Sequence, residues 1–311
     1  MTRLAILADI HGNLPALEAV LADLAPFAVD QVIVAGDVIN WGPYSAEVLA
    51  RVVAAAWPVI RGNNEFYLLD YQTPRAPAAW ADRRHWSLLP WLHQQLAGHW
   101  QSVIAGWPDR LSLRFPDAPP LAVVHGSPRG NAEPIFPLSS DAEIAEMLSG
   151  VDEQTILAAH THLPLDRQVP GRPDGASWHV LNPGSVGAPL DGEHCARYLV
   201  LDGDAQGWRG LPRAVPLDPG PILREFERQD FARTCGVAGE LVMREHAHAR
   251  IELLPFLTWR QAHHPDHPVD ADLLAEYDQA DPFPYVLSAY QPGWLRSRSA
   301  GHPFRGPASR Q

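Results

Sequence analysis

Five short segments carry side chains of the kind that hold transition metals. They are Asp9-Ile10-His11, Gly36-Asp37, Gly62-Asn63-Asn64-Glu65, His125-Gly126 and Ala159-His160-Thr161-His162. The candidate ligands are two carboxylates (Asp9, Asp37), four imidazoles (His11, His125, His160, His162) and one carboxamide (Asn63). In an extended segment, residues two apart share a face, so Asp-x-His and His-x-His each aim two donors the same way. Mixed nitrogen and oxygen donors suit Mn, Fe, Zn, Ni or Co rather than Ca or Mg alone. A carboxylate can bridge two cations, and Asp37 is placed to do so. Two divalent ions side by side are a device for attacking phosphate esters. Their charge outweighs two carboxylates and a bridging hydroxide, which leaves a positive spot for an anionic substrate.

Each segment follows a hydrophobic run that reads as a strand. Leu4 to Ala8 is a buried-strand pattern ending at Asp9, and Gln31 to Ala35 ends at Gly36-Asp37. Pro58 to Arg61 precedes Asn63, Leu121 to Val124 precedes His125, and Thr155 to Ala158 precedes His160. Between them lie helical patterns. Leu14, Leu17, Val20, Leu21 and Leu24 fall on one stripe after Asn13 and Pro15, which suit a helix start. A second helix is expected from Pro43 to about Ala55, and another from Asp141 to Leu148. This rhythm puts the candidate ligands at strand C-terminal ends, where open α/β sheets form their sites. Trp178 to Leu181 and Arg197 to Leu201 read as an antiparallel pair turned by Asn182-Pro183-Gly184-Ser185. Pro221 to Arg233, Val237 to Arg250 and Asp270 to Gln279 read as helices.

The chain has 311 residues, of which 46% are hydrophobic, enough for a sizeable core in one large domain or two ordinary ones. A formal net charge of −12 makes it a poor general binder of nucleic acid, so no stable duplex binding is expected. Only Cys195 and Cys235 are present, without a CxxC pattern, which fits a reducing, cytoplasmic setting with free thiols. The apolar stretch before Asp9 is about five residues, too short for a signal-peptide core or a membrane span.

Taken together, the five blocks, in this order, resemble the calcineurin-like metallophosphoesterase superfamily over roughly residues 4 to 215. The spacing agrees: Asp37 lies 28 residues after Asp9, and Asn63 lies 26 after Asp37. Gly42-Pro43 and Asn182-Pro183-Gly184-Ser185-Val186-Gly187 are similar to the small prokaryotic, YfcE-like phosphodiesterase branch. The resemblance implies an α/β fold, a two-sheet β-sandwich flanked by helices. It implies one metal on Asp9, His11 and His162, a second on Asn63, His125 and His160, and Asp37 bridging both. Mn is the first choice of metal. The nucleophile would be a deprotonated water between the metals, attacking phosphorus in line. Asn13 and Asn64 would face the phosphate, and Arg129 could add a charge-assisted contact.

One departure bears on substrate. The family's common motif is Gly-Asn-His-Asp/Glu, whose His helps protonate the leaving group; here that position is Asn64. General acid catalysis is typically worth ~10²–10⁴-fold, so poor leaving groups should suffer most. Alkyl phosphomonoesters have poor leaving groups and a second negative charge, which tilts the reading toward phosphodiesters. Ala159, in place of the usual Gly, is a small change. Asn64 also suits a left-handed turn position. Arg129 is more often a solvated loop residue, His179 reads as structural, and His263, His264 and His267 read as a surface patch. His246 and His248, two apart on a helix, would face different ways.

The expected organisation is a catalytic domain over residues 1–215, in which 66–108 is a helical insertion covering one side of the site. Its tryptophans more naturally pack a core, but any that line the cleft would favour an aromatic or nucleotide leaving group. A helical extension over 216–281 wraps back on the domain, and 282–311 is a Pro/Gly-rich, partly disordered tail. The expected activity is hydrolysis of a small phosphodiester or nucleotide-like substrate. The alternatives are a phosphomonoesterase, including a serine/threonine protein phosphatase, and a non-catalytic interaction platform with the same fold. The oligomeric state stays open.

Overall fold

The computed structural model describes residues 1–96 and 98–299. In chain order its elements are β1 (Thr2–Leu7), α1 (Leu14–Leu24), β2 (Gln31–Val34), α2 (Ser45–Ala54), α3 (Asn63–Asp70), α4 (Leu88–Leu96) and α5 (His99–Ala105). Then come β3 (Arg110–Leu113), β4 (Leu121–Val124), α6 (Asp141–Met147), β5 (Thr155–Leu157), β6 (Leu165–Pro170) and β7 (Ser177–Asn182). Last are β8 (Cys195–Asp204), β9 (Gly207–Pro216), α7 (Gly220–Arg228), α8 (Phe231–His248), α9 (Leu253–His263), α10 (Ala271–Tyr277) and α11 (Gln291–Ser299).

Two mixed sheets result. One has the order β2-β1-β8-β9, the other β3-β4-β5-β7-β6. β1 shows why its sequence reads as a continuous apolar run. Successive side chains leave a strand on opposite faces, and both faces of β1 are covered. Leu4 and Ile6 point inward and pack with Leu121, Val123 and Leu157 of the second sheet. Ala5 and Leu7 point outward, beneath Leu17 and Val20 of α1 and Val48 and Val52 of α2. The second sheet is covered in turn on its far face, where Ala122, Ile156 and Val180 meet Ile144 of α6. The layers therefore run helices, sheet, sheet, helix.

The two sheets are joined where the sequence pointed to a hairpin. β7 pairs with β5 and β6, whereas β8 pairs with β1 and β9, so these strands lie in different sheets. The intervening Asn182–Gly187 segment is a strap, not a turn. The Val186 amide donates to Ala8 O and the Gly187 amide to Asp9 O, 3.0 and 2.9 Å. The Asn182 side chain donates to Ala159 O on the other sheet at 2.9 Å. The expected strand at Pro58 to Arg61 contracts to a single bridge, Val34 to Val59; Pro58 has no N–H to extend it. Strands β6 and β9 and helix α9 were not foreseen.

The C-terminal helices close over one end of the sandwich. α8 bends at Gly236 (φ 58°), and its Ala238 and Val242 join the α4 side of the first core. Phe256, Trp259, Leu273 and Tyr277 build a separate core around Leu241. The chain beyond Pro282 is more structured than its composition implies. Tyr290 and Trp294 are buried against Leu163, Leu190 and Ile251. The Trp294 indole donates to Ile251 O at 2.7 Å, so apolar anchors override the Pro/Gly-rich background there. The expected disorder at residues 300–311 lies outside the described residues. Both cysteines are free thiols.

Candidate metal centre

The candidate ligands converge because their strands end at one edge of the sandwich. β1 delivers Asp9 and His11, β2 delivers Asp37, the Val59 bridge delivers Asn63, β4 delivers His125 and β5 delivers His160 and His162. The backbone turns sharply there. Asp9, His11, Asp37, His160 and His162 all have φ between 49° and 67°, a left-handed conformation that is uncommon away from glycine. Such strain persists where surrounding structure enforces it, and it concentrates at functional sites. Gly36 makes the approach possible: a Cβ there would lie 2.7 Å from His125 Nδ1.

Two clusters form. In each, the donor atoms lie within 4.8 Å of one another: Asp9, His11 and His162 in one, Asp37, His125 and His160 in the other. Asp37 Oδ2 sits between them, 3.6 Å from His11 Nε2 and 3.2 Å from His125 Nε2. Asn63 Oδ1 is 3.1 Å from His125 Nε2, on the second cluster's side. The Nδ1 atoms of His11, His125 and His162 face the carbonyls of Ile39, Ala35 and Ala188 at 3.3, 2.8 and 2.6 Å. A proton on each Nδ1 fixes the tautomer and turns the Nε2 lone pair to the centre, an arrangement typical of metal-bound histidine.

The electrostatics describe a site built for cations. Asp9 is fully buried, yet neither carboxylate oxygen has a well-formed hydrogen bond; only the His160 amide lies toward it, in poorer geometry. Burial pushes the Asp9 carboxyl well above its usual range. Burial also holds His11 and His160 down to about 4 and His162 to about 3, which keeps them neutral, the form that binds metal. Burial opposes charge on His125 too, but Asp37 and Asp9 outweigh it and raise this imidazole to about 10. The same attraction, with His11 adding to it, overcomes burial at Asp37 and holds its carboxyl low. An unpaired buried carboxylate costs free energy unless it is paired or coordinates metal. The donor set and the orphaned Asp9 thus fit divalent transition-metal ions.

Asn64 lies in the cleft, but its side chain is engaged. Its Nδ2 donates to Asp37 Oδ2 at 2.6 Å and its backbone amide to Asp37 Oδ1 at 2.9 Å. Its Oδ1 accepts from Asn40 Nδ2 at 2.7 Å. Asn64 therefore orients the Asp37 carboxylate. Asn13 does not face the cleft with a free group: it caps α1, accepting from the Ala16 amide, and donates to Gly187 O at 2.7 Å. Arg129 is turned away, pinned by Glu133 and Glu146 in solvent, because those carboxylates flank it locally. Among the other histidines, His246 faces the Trp41 carbonyl and His179 pairs with Asp166. His264 pairs with Glu276.

Glu65 had no assigned role in the sequence, although it sits in the same segment. It is fully buried and accepts from the amides of Asp37, Val38 and Gly62 at 3.0, 2.9 and 2.6 Å. It thereby ties the Asp37 turn to the start of α3. Its position three residues after the Gly62 cap is capping-box spacing, a signal that was available. Burial, with Asp37 adding to it, raises its carboxyl to about 7.

The centre opens into a cleft of about 430 Å³. Tyr67, His85, Trp86, Leu88 and Leu89 form one wall. Ile251, Leu253, Leu254, Leu257, Leu287 and Tyr290 from the C-terminal region form the other. Thus Trp86 lines the cleft, whereas Trp91 belongs to the core.

Residues 2–206 match the calcineurin-like phosphoesterase superfamily domain. The chain belongs to this superfamily. It is accordingly a phosphoesterase of a metal-dependent family. The phosphodiesterase YfcE of Escherichia coli is 29% identical over 215 residues, spanning 66% of this chain and 89% of that protein. A metallophosphoesterase from Sphaerobacter thermophilus has the same fold, with a TM-score of 0.62 and 24% identity, covering 80% of this chain and 100% of its own. A hypothetical protein from Pyrococcus horikoshii aligns with a TM-score of 0.65 at 22% identity, over 81% of this chain and all of its own. Among the described residues, no helix is long and apolar enough to cross a membrane.

Proposed function

We propose that this chain hydrolyses small phosphodiesters with two divalent transition-metal ions, Mn²⁺ first among them. Asp9, His11 and His162 would hold one ion, Asn63, His125 and His160 the other, and Asp37 would touch both. The observation that carries this reading is the meeting of two three-residue donor clusters at Asp37, beside the unpartnered carboxylate of Asp9. When bound, such ions lower the pKa of a water molecule and neutralise phosphoryl oxygens.

The chain's own residues do the rest. The Nδ1–carbonyl contacts fix which imidazole nitrogen faces the centre. Asn64 and Glu65 hold the Asp37 carboxylate and its turn in one orientation. The largely apolar walls bring low-dielectric surface to the centre, which strengthens charge interactions there. Preference for diesters follows from two features. Position 64 offers no titratable side chain for the leaving group. Among the described residues, no arginine lines the cleft to offset the second charge of a monoester. YfcE, named a phosphodiesterase, supports the same class.

Hydrolysis of bis-p-nitrophenyl phosphate and p-nitrophenyl phosphate, compared in Mn²⁺, tests the reading. The diester should have the higher kcat/KM, by tenfold or more. Faster turnover of the monoester would defeat the diester preference.

A further inference from the structure

The chain contains no lysine; all 24 of its basic residues are arginines. Among the described residues, none of them lines the cleft. Substrates with several phosphates need several cationic partners, and this cleft offers only the metal centre. The overall charge of −12 further opposes polyanions. A single phosphodiester monoanion is what the floor accommodates.

Beyond the floor the cleft is largely apolar, with His85 as a polar member of one wall. Leu89 and Trp86 face it from one side, Leu253, Leu254 and Leu257 from the other. Several polar groups lining the cleft are already engaged, while Asn40 Oδ1 at the floor is buried without a partner. The Tyr290 hydroxyl donates to Thr161 O at 3.0 Å. Glu245 accepts from the Trp41 indole and from the amides of Glu252 and Leu253. The Tyr67 hydroxyl lies toward the Asn63 side chain. A nucleobase has polar edges, and leaving a buried donor or acceptor unpaired costs roughly 1–3 kcal/mol. Leu254 and Leu287 extend this surface to the rim, 41% and 46% exposed, where solvent would otherwise meet them. Apolar walls continuous with a catalytic floor mark the binding site of an apolar group.

We propose that the substrate is a phosphodiester with one hydrocarbon arm, alkyl or plain aryl, seated between the Trp86 and Leu254 walls, and not a nucleotide. This rests on the phosphodiesterase reading and narrows it. The arm's burial contributes binding energy without touching the reacting atoms.

A series of p-nitrophenyl phosphodiesters with one leaving group and a varied second arm tests this in the Mn²⁺-loaded protein. The arms are methyl, butyl, phenyl and thymidine 5′-linked. Each buried methylene is worth about fourfold, so kcat/KM for the butyl or phenyl arm should exceed methyl by about tenfold or more. Whichever of the two gains more distinguishes an alkyl from an aryl source. The thymidine arm should do no better than methyl. Arms within threefold of one another, or a fastest thymidine arm, would overturn the proposal. If every diester is inert while p-nitrophenyl phosphate is hydrolysed, the phosphodiesterase reading itself has failed. Leu254→Asp and Leu287→Asp alter rim residues that tolerate polarity without unfolding. Each should lower the butyl-to-methyl ratio at least threefold, and an unchanged ratio in both would overturn the assignment of that wall. Calorimetry on the Mn²⁺-loaded protein, with dialkyl phosphates whose poor alkoxide leaving groups suppress hydrolysis, gives a readout independent of turnover. Dibutyl phosphate should bind about tenfold more tightly than dimethyl phosphate, with a negative heat-capacity change; equal binding contradicts the proposal.

Discussion

Asn64 changes meaning between sequence and structure. By position it replaces a leaving-group acid; by contact it is a brace, with both its amide and its Nδ2 on Asp37. A hydrogen bond to a charged group is worth about 1.5–3 kcal/mol, and partners of metal ligands typically influence metal affinity 10–100-fold. Asn64→Ala should therefore weaken Mn²⁺ binding by roughly tenfold or more, measured by calorimetric titration, while Mn²⁺-saturated protein retains part of its diesterase activity. Unchanged affinity would mean that the Asp37 carboxylate does not need the brace. The candidate ligands themselves were legible because each is a metal-binding type at a strand end, and strand ends can be read from apolar runs. What Asn13, Asn64 and Arg129 do was not legible. Their roles depend on which neighbour reaches them first: Gly187 for Asn13, Asp37 for Asn64, Glu133 and Glu146 for Arg129. None of those pairings has a periodicity.

At the scale of elements, the strands that carry ligands were readable and the connections between them were not. β1, β4 and β5 are buried on both faces, so their apolar runs are unbroken. β6 and β9 alternate with exposed polar positions and proline, and their signal is faint. The Asn182–Gly187 strap looked like a hairpin turn because its residues are turn formers; its partners, Ala8 and Asp9, are over 170 positions away. The C-terminal helices raise a separate electrostatic point. Glu245 of α8 is fully buried, and burial raises its carboxyl from 4.5 to about 7 despite the Trp41 bond. A group whose folded pKa lies above its unfolded value contributes stability that is full below about pH 4.5 and is lost as pH rises through about 7. Wild-type stability should therefore fall relative to Glu245→Gln between pH 5 and pH 8, roughly, as read from urea midpoints of both proteins in the absence of metal. A pH-independent difference between the two would show that Glu245 is ionised in the fold throughout.

For the whole molecule, the centre ties both sheets together: Asp9, His11 and Asp37 come from the first, His125, His160 and His162 from the second. Ions held there would cross-link the sandwich, and anything that binds the folded state alone stabilises it by mass action. Filling the site at about a thousand times its Kd contributes roughly 4 kcal/mol, and for a chain of 311 residues each kcal/mol moves Tm by about 1.5 °C. Saturating Mn²⁺ should thus raise Tm by roughly 6 °C, and chelation should reverse it. Asp9 supplies the control that separates specific binding from a general salt effect. Its carboxylate is buried without a good partner, so in the metal-free protein its charge is a cost. Asp9→Asn removes that charge at nearly constant volume. Metal-free Asp9→Asn should melt no lower than metal-free wild type, yet gain little from Mn²⁺ and lose diesterase activity by at least a hundredfold. Differential scanning fluorimetry of both proteins, with and without Mn²⁺, decides the matter. A variant that keeps the full Mn²⁺-dependent rise in Tm would show that Asp9 holds no ion.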